Sequence, residues 1–513
     1  MEATPFSRYL TTFTELVEAS RASFKRYFWI GASLYGLLIL GLGASLALET
    51  VAGAVVISLA ALAPWYLWVR GTAKGLPIWP MFTLTALWAY ALPLVTEHPI
   101  VVQFPPLYQL TASLVIAVFL TIGTLAWLPF ARAKATPPAR ARVLPAARGR
   151  VLLFGFLGAG LFLTFVTNTA TLDLTGQFYS IIRAFALGLS NLSIFYFGYQ
   201  IGARQLRFAE KLLFAGLLLA SVFVSITSML LVNAMSMIFL AFISYFLGRG
   251  RIPWLPLVLT ALTFYFLHAG KSDQREQYWG EMMWRPIMLA EYPKFFGDWI
   301  GHSTASLAEQ FESSKHHREK SQAPNKLWER SSLIHLFLYI EYSTPSAVPF
   351  LDGESYRAIP ELLIPRILLP GKVGSHFGNQ LLALHYGISD SEDDTITSIG
   401  FGLICEAFAN FGYLGCILIP ILLGATTGWF TRWSMSAPIM SFRFLFGVLC
   451  LSSAFQVEYT AGVLVSSLFQ ASMALGVIAL VFMQVVPIAR VRRLLPLVLQ
   501  EHHSASAHPA PVS

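Results

Sequence analysis

Charged side chains are scarce in this chain. Only 12% of its 513 residues are Asp, Glu, Lys or Arg, whereas about a quarter of an ordinary soluble domain is charged. Hydrophobic residues make up 56%, and the mean hydropathy is +0.61. This composition excludes an ordinary soluble domain. Apolar stretches of about 20 residues predict membrane-spanning helices, because a helix satisfies its own backbone hydrogen bonds in lipid.

Cysteine is also rare, and the familiar catalytic motifs are absent. The three cysteines, Cys405, Cys416 and Cys450, lie in or beside late apolar segments and form neither a CxxC pair nor a disulfide framework. The chain contains no HExxH, P-loop or GxSxG motif and no convincing set of metal ligands. We therefore predict no metal and no cofactor.

Twelve apolar segments predict an all-α, polytopic membrane helix bundle. The first segment follows Lys25 and Arg26 and is interpreted as a retained signal-anchor helix. The split near Leu230 is the least marked boundary. The predicted spans are 28–48, 51–69, 80–95, 108–130, 151–167, 180–203, 211–228, 231–247, 252–269, 411–430, 444–455 and 461–486.

The distribution of Lys and Arg predicts the topology. These residues occupy every second connection, including the basic linker 131–150, and both ends of the chain. Since cytoplasmic loops hold the excess of Lys and Arg, both termini are predicted to be cytoplasmic. The predicted regions are a cytoplasmic N-terminus (1–27), a bundle of about nine spans (28–270), an extracytoplasmic loop (271–395), three further spans (396–490) and a cytoplasmic tail (491–513).

The 125-residue loop 271–395 ends in a segment rich in Pro, Arg, Lys and His. Three prolines five residues apart, from Pro360 on, exclude a long helix there. Arg366 and Lys372 are cations suited to binding a phosphate or diphosphate, and His376 and His385 are candidate bases or ligands. The alternative is surface charge on an amphipathic connector.

Two further polar positions stand at the predicted outer ends of spans. Arg183 is the only Lys or Arg inside a predicted span, so it either faces a partner or cavity or snorkels to the interface. Glu406 and Asn410 are four residues apart and share a helix face. Glu406 either serves catalysis or pairs with an arginine that locks the loop onto the bundle. Gly412 and Gly415 permit close helix packing or a bend.

Aromatic and acidic clusters in the loop also have two interpretations each. The aromatic cluster either stacks on sugar rings or forms an interfacial belt. The acidic run either binds a cation or forms a solvated turn. Arg285 lies within the aromatic cluster and is a candidate substrate-binding residue. The aromatic residues are Tyr278, Trp279, Trp284, Tyr292, Phe295, Phe296 and Trp299, and the acidic ones are Asp390, Glu392, Asp393 and Asp394.

Two sequence segments resemble a known family. The strings ELLIPRILLPGKVGSHFGNQ (361–380) and TSIGFGLICEAFANFGYLG (397–415), with Tyr386-Gly387 between them, resemble the bacterial oligosaccharide repeat-unit polymerases. These Wzy-like O-antigen and exopolysaccharide polymerases are related to the O-antigen ligases. The resemblance covers about 361–415, and the remainder matches only in hydropathy and topology.

The resemblance implies a metal-independent glycosyltransferase with a GT-C-like membrane fold in the bacterial inner membrane. It implies repeat units carried on undecaprenyl diphosphate and leaves open whether a chain-length regulator binds. Membrane lipids are further expected partners, and the basic residues, which flank apolar segments, do not imply nucleic acid. Arg183 and Arg366 are expected to hold the diphosphate, together with Lys372, Asn410 and Arg285 as further substrate-binding residues. Glu406 or His376 is expected to take the proton of the acceptor hydroxyl.

Other classes remain open on sequence alone. A ligase-type glycan transferase is expected to carry a His-Asn type motif just before its GxxG, where this chain has Phe401-Gly402. A lipid or polysaccharide transporter is expected to have two related halves and polar residues at the midplane. A transferase using polyprenyl-monophosphate sugars is expected to have acidic motifs in the first outer loop, and an exosortase-like protease would use Cys405 as its nucleophile.

Overall fold

A computed structural model describes most of the chain. The described residues are 12–134, 136–169, 179–229, 231–279, 286–313, 332–364, 368–369, 371–389 and 399–488. Arg285, Arg366 and the acidic run 390–394 lie outside them, and so does the side chain of Arg183.

Helices dominate the described residues, as predicted. The helices are α1 Phe13–Leu42, α2 Leu48–Arg70, α3 Ile78–Val95 with a π-helical turn at Leu87–Ala91, α4 Pro106–Arg132, α5 Ala146–Thr169, α6 Tyr179–Gly202, α7 Phe208–Ile226, α8 Leu231–Arg249, α9 Trp254–Ala269, α10 Lys271–Trp279, α11 Tyr292–Ser313, α12 Ile334–Ser343, α13 Glu354–Arg357, α14 Ile359–Leu362, α15 Phe377–His385, α16 Gly402–Met435, α17 Phe442–Ser453 and α18 Ala461–Val481. Short 3₁₀ turns occur at Gly43–Ser45, Val101–Gln103 and Leu289–Glu291.

Eight helices of the described chain are long and apolar enough to cross a membrane. This identifies a multi-pass membrane protein of the all-α class. Each of the twelve predicted spans falls on a helix, and the break near Leu230 lies between α7 and α8. The helices α8, α9 and α17 are also apolar, but their apolar helical stretches are only 10 to 17 residues long.

The helix α16 departs from its predicted boundaries. The predicted span begins at residue 411, whereas the helix begins at Gly402. Its long contact with α4 depends on small residues, because a Cβ on Gly424 would lie 2.1 Å from the carbonyl oxygen of Gly123. In a membrane such close backbone approach replaces the hydrophobic driving force between helices.

At one end of the bundle the basic connections contact one another. The predicted linker 131–150 contains strand β1 (Arg140–Val143), which pairs antiparallel with β2 (Gln484–Pro487) after the last helix. This small sheet was not predicted. Further bridges join Thr12 to Pro438 and Val143 to Ser441. We call this end the basic end. It is formed by the connections around residues 12–21, 70–75, 131–150, 204–210, 249–251, 432–443 and 484–488.

The described parts of the loop 271–395 cover the opposite end, called here the loop end. The amide of Leu333 donates to the carbonyl of Ala89 at 2.7 Å. The imidazoles of His335 and His98 stack with centroids 4.7 Å apart. Hydrogen bonds from the loop also reach the connections after α5 and after α7. The loop therefore packs on the connections that lack Lys and Arg.

Candidate functional site

A break in α16 organises the loop end. Phe411 and Gly412 have non-helical dihedrals, and Gly412 adopts φ 57° and ψ −142°, a conformation available essentially only to glycine. The predicted bend at this glycine pair is therefore confirmed. Residues 413–435 follow the break and span about 34 Å at 1.5 Å per residue, which is enough to cross a hydrocarbon core of about 30 Å. A hydrocarbon core placed over residues 413–435 leaves the break at its edge and residues 402–410 beyond it.

A loop strand occupies the backbone groups that the break releases. The amide of Leu351 donates to the carbonyl of Ala409 at 3.0 Å, and the amide of Asp352 donates to the carbonyl of Asn410 at 3.1 Å. The amide of Gly353 donates to the Asn410 side-chain oxygen at 3.0 Å. These bonds tie the extramembrane loop to the broken helix, because buried backbone groups need partners.

Glu406 is the buried centre of this arrangement. Its side chain is fully buried, and Oε1 accepts a hydrogen bond from the Ser355 hydroxyl at 2.8 Å. Oε2 accepts the amide of Ala461, the first residue of α18, at 2.7 Å. Glu406 thereby caps α18 in place of Thr460, whose own side chain makes no capping bond. A carboxylate is favoured there by the partial positive charge of a helix N-terminus.

No described Lys or Arg lies within ion-pair distance of Glu406. The expected arginine partner is thus not among the described residues, although Glu406 does join the loop, through Ser355, to the bundle, through α18. Its two oxygens are both occupied by protein donors. Direct proton transfer with a substrate would require this network to open, so the geometry favours a positioning role.

Asn410 is likewise fully engaged. Its side-chain nitrogen donates to the Ser355 oxygen and to the Glu406 carbonyl, both at 2.8 Å, while its oxygen accepts the Gly353 amide. The predicted common face of Glu406 and Asn410 is confirmed, since both contact Ser355. Asn410 holds the loop and does not face solvent in this arrangement.

The helix α15 brings His376 next to this centre. A Cβ on Gly378 would lie 3.4 Å from both the Glu406 Oε1 and the Thr460 hydroxyl. His376 is the N-cap residue of α15, two positions earlier, and is exposed. His385, at the other end of α15, holds the loop through a 2.8 Å bond between its Nε2 and the carbonyl of Pro349. Of the two histidines, His376 lies two positions from Gly378, the residue beside the carboxylate, and is open to solvent.

Lys372 lies on a folded turn beside α15. Its ammonium donates to the carbonyls of Leu362, at 3.0 Å, and Ile364. Glu361 accepts the amide of Val373 at 2.9 Å. The hydrogen bonds of these two charged side chains hold the segment between α14 and α15 in a folded turn. Lys372 is thus partly used for folding, and a bound phosphate would meet an ammonium already held in position.

The aromatic cluster at the start of the loop is a packing core. Phe295 and Trp299 are fully buried with centroids 5.5 Å apart, and the Trp299 indole donates to the carbonyl of Leu267. Phe296 stacks on Phe223 of α7. The buried rings of Phe295 and Trp299 cannot stack on sugars. Tyr278, Trp279 and Phe296 are partly exposed and Trp284 lies outside the described residues, so the choice between a sugar groove and an interfacial belt stays a prediction. Cys405 is also fully buried, which disfavours it as a nucleophile.

The contacts of Ser355 and Ala461 were not anticipated from the sequence. Nothing in a lone serine or in a backbone amide marks it as a partner for a carboxylate some fifty residues away. Among the described residues no group of three or more His, Cys, Asp or Glu side chains could hold a metal ion. Searches of protein-family models, curated proteins and solved structures found no match to this chain.

Proposed function

We propose that the protein is a glycosyltransferase that polymerises oligosaccharide repeat units carried on undecaprenyl diphosphate. One observation carries the proposal. Gly378 of the first segment that resembles the polymerases lies beside Glu406 of the second, since an added Cβ would be 3.4 Å from Glu406 Oε1. The first segment also packs through α14 and α15 on α18, whose first amide bonds Glu406. The contact at Gly378 joins the two segments into one site.

The position of this site supports an outward-facing reaction. The basic connections contact one another at the opposite end of the bundle. The positive-inside rule places such connections in the cytoplasm. The loop end then faces the periplasm or cell exterior, where no nucleotide sugars are supplied and a lipid-linked donor is the natural substrate. The twelve-span topology of the inner membrane is part of this proposal.

The proposed reaction transfers a glycan from its lipid carrier to a sugar hydroxyl. The acceptor oxygen attacks the anomeric carbon, the bond to the lipid diphosphate breaks, and the diphosphate leaves with its electron pair. Arg183, Arg366, Arg285 and Lys372 neutralise the leaving group, which is the main electrostatic task. No metal or cofactor takes part.

His376 and Glu406 have different roles in this proposal. The exposed His376 takes the acceptor proton, because it is the candidate base that solvent and substrate reach. Glu406 is a positioning residue that holds α13 and α18 together through Ser355 and Ala461. Asn410 supports the same network.

A transporter is less compatible with the break in α16. Transporters use discontinuous helices near the bilayer midplane, with free helix ends facing the substrate. Here the break lies at the edge of the span, and loop amides occupy its carbonyls. The released backbone groups are therefore not free to coordinate a solute.

The decisive experiment is deletion of the gene followed by analysis of surface and lipid-linked glycans. We expect single repeat units without long polymer. Complementation with His376→Ala, Arg183→Ala, Arg366→Ala or Arg285→Ala should fail at normal protein levels, while Lys294→Ala, an exposed cation of the same loop, should restore polymer. Full-length polymer stranded on its carrier would instead identify a ligase, and unchanged glycans would contradict both activities.

A reaction with purified protein tests the chemistry directly. The protein in nanodiscs should extend undecaprenyl-diphosphate oligosaccharide into a ladder of products in the presence of EDTA. Loss of the ladder on chelation, with recovery on adding a divalent metal, would overturn the metal-independent mechanism.

A further inference from the structure

A second buried carboxylate at the loop end has no counter-charge within the part of the chain that the structure describes. Glu341, on α12, is only 6% exposed. Its Oε1 accepts the Tyr413 hydroxyl at 3.1 Å, but its Oε2 is buried without a hydrogen-bond partner among the described residues. No described Lys, Arg or His lies within ion-pair distance. Burial raises the pKa of Glu341 to about 7, and the bond from Tyr413 offsets only part of this effect.

A cluster of aromatic rings adjoins Glu341 through Tyr342, its neighbour in the chain. The rings of Phe104, Tyr108 and Tyr342 have centroids 5.9 to 6.1 Å apart, and Tyr342 stands nearly perpendicular to Tyr108. Tyr342 is 67% exposed and Tyr413 57% exposed. Aromatic faces attract cations. The combination of such faces with an unneutralised carboxylate is suited to an organic ammonium ion. These five residues are called the Glu341 site.

The Glu341 site lies where lipid headgroups are expected. Tyr108 is in the first turns of α4, and Tyr413 directly follows the break in α16. Their neighbours Leu107 and Leu414 are 67% and 59% exposed, as expected for side chains that face lipid. A ligand at this site would place an apolar part beside these leucines and a polar head against Glu341.

We propose that the Glu341 site binds the ammonium headgroup of a zwitterionic phospholipid in the membrane leaflet at the loop end. The ammonium ion neutralises Glu341, and Tyr342 and Tyr413 lie against it. Exposed side chains change rotamer within nanoseconds, so a rotation of Tyr413 or Tyr342 opens the buried Oε2. The bound lipid stabilises the junction of α4, α12 and α16. This proposal is independent of the glycosyltransferase activity.

Native mass spectrometry of the delipidated protein in detergent tests the proposal. The probes are phosphatidylethanolamine, phosphatidylcholine and phosphatidylglycerol with identical acyl chains. We expect both ammonium lipids to bind roughly tenfold more tightly than the anionic lipid, the ratio that corresponds to 1.4 kcal/mol. Glu341→Gln and Tyr342→Leu should each reduce this preference at least about fivefold.

Matched variants separate the site from general effects. Glu97→Gln removes an exposed carboxylate at the same end, and Tyr265→Leu removes an exposed ring on α9, so both should retain the preference. Tyr342→Leu changes an exposed ring and keeps the test valid even where Glu341→Gln reduces folding. Equal binding of the three lipids, or a preference that survives both site variants, would overturn the proposal. Binding of soluble glucosamine that requires Glu341, with no ammonium-lipid preference, would identify an amino sugar as the occupant and equally overturn it.

Discussion

The two ends of the bundle use charged side chains in opposite ways. At the basic end, charged side chains lie near the surface and some are paired, as in the 3.2 Å pair of Arg150 and Glu210, whose side chains are 31% and 25% exposed. At the loop end, Glu406 and Glu341 are buried with no described cation within ion-pair distance, and two histidines stack. A surface ion pair contributes little to stability, whereas removing one partner of a buried hydrogen bond leaves the other group unsatisfied and lowers stability more. The loop end is therefore where single substitutions should have the largest effects.

The largest expected effect follows from removing the Glu406 carboxylate. Glu406→Leu leaves the Ser355 hydroxyl and the Ala461 amide without their acceptor and should lower the free energy of unfolding by about 2–5 kcal/mol. SDS titration of the purified protein measures it. Thr460→Val is the control, because it removes a buried hydroxyl that has no described partner and should be nearly neutral. Equal losses in the two variants would contradict the assignment of Glu406 as the cap of α18.

The histidine pair should make stability depend on pH. Burial, with a smaller contribution from His98, lowers the pKa of His335 to about 4, whereas an unfolded histidine titrates near 6.5. Between these values the unfolded chain binds a proton that the folded chain does not. Stability is therefore complete above about pH 6.5 and falls by at most about 3 kcal/mol as the pH drops to 4.

Substitution of His335 tests this pH dependence. His335→Asn keeps a polar atom near Ser332, the partner of the His335 Nδ1, and should flatten the thermal-stability profile between pH 4 and 6.5. The surface variant His302→Gln should leave it unchanged. A profile that is equally steep in His335→Asn would assign the effect to other groups.

The break in α16 should be sensitive to a single methyl group. Gly412→Ala combines a positive φ with a Cβ only 2.9 Å from the Phe350 ring, and should cost about 1–3 kcal/mol. Gly216→Ala, in α7 with open space around it, should be neutral or stabilise by up to about 1 kcal/mol. Thermal unfolding in detergent compares the two. Similar melting temperatures would indicate that the break is not a constrained feature.

The smallest effect is expected at the basic end. Arg150→Gln removes a surface ion pair and should lower the free energy of unfolding by about 0.2–1 kcal/mol at low salt. Raising NaCl to 0.5 M should remove most of the difference, because salt screens such pairs. A larger loss that persists in high salt would erase the contrast between the two ends.

The spans could be predicted because hydropathy is a property of local composition. The 12 apolar segments correspond to helices, and the broken segment after Pro360 forms only short helices where it is described. The strands β1 and β2 were missed because two four-residue strands some 340 positions apart leave no periodic signal. In the site, the shared face of Glu406 and Asn410 follows from helical spacing, whereas their contact with Ser355 does not.

The sequence by itself determined that this is a helical membrane protein, which connections carry its basic charge, and where Gly412 permits a bend. These properties depend on runs of neighbouring residues. Only the tertiary structure decided that Glu406 caps α18 and that Asn410 and Glu361 hold the loop. It also decided that Glu341 has no counter-charge among the described residues. Burial and hydrogen-bond partners arise from residues distant in the chain, and a carboxylate has the same letter whether it is solvated or enclosed.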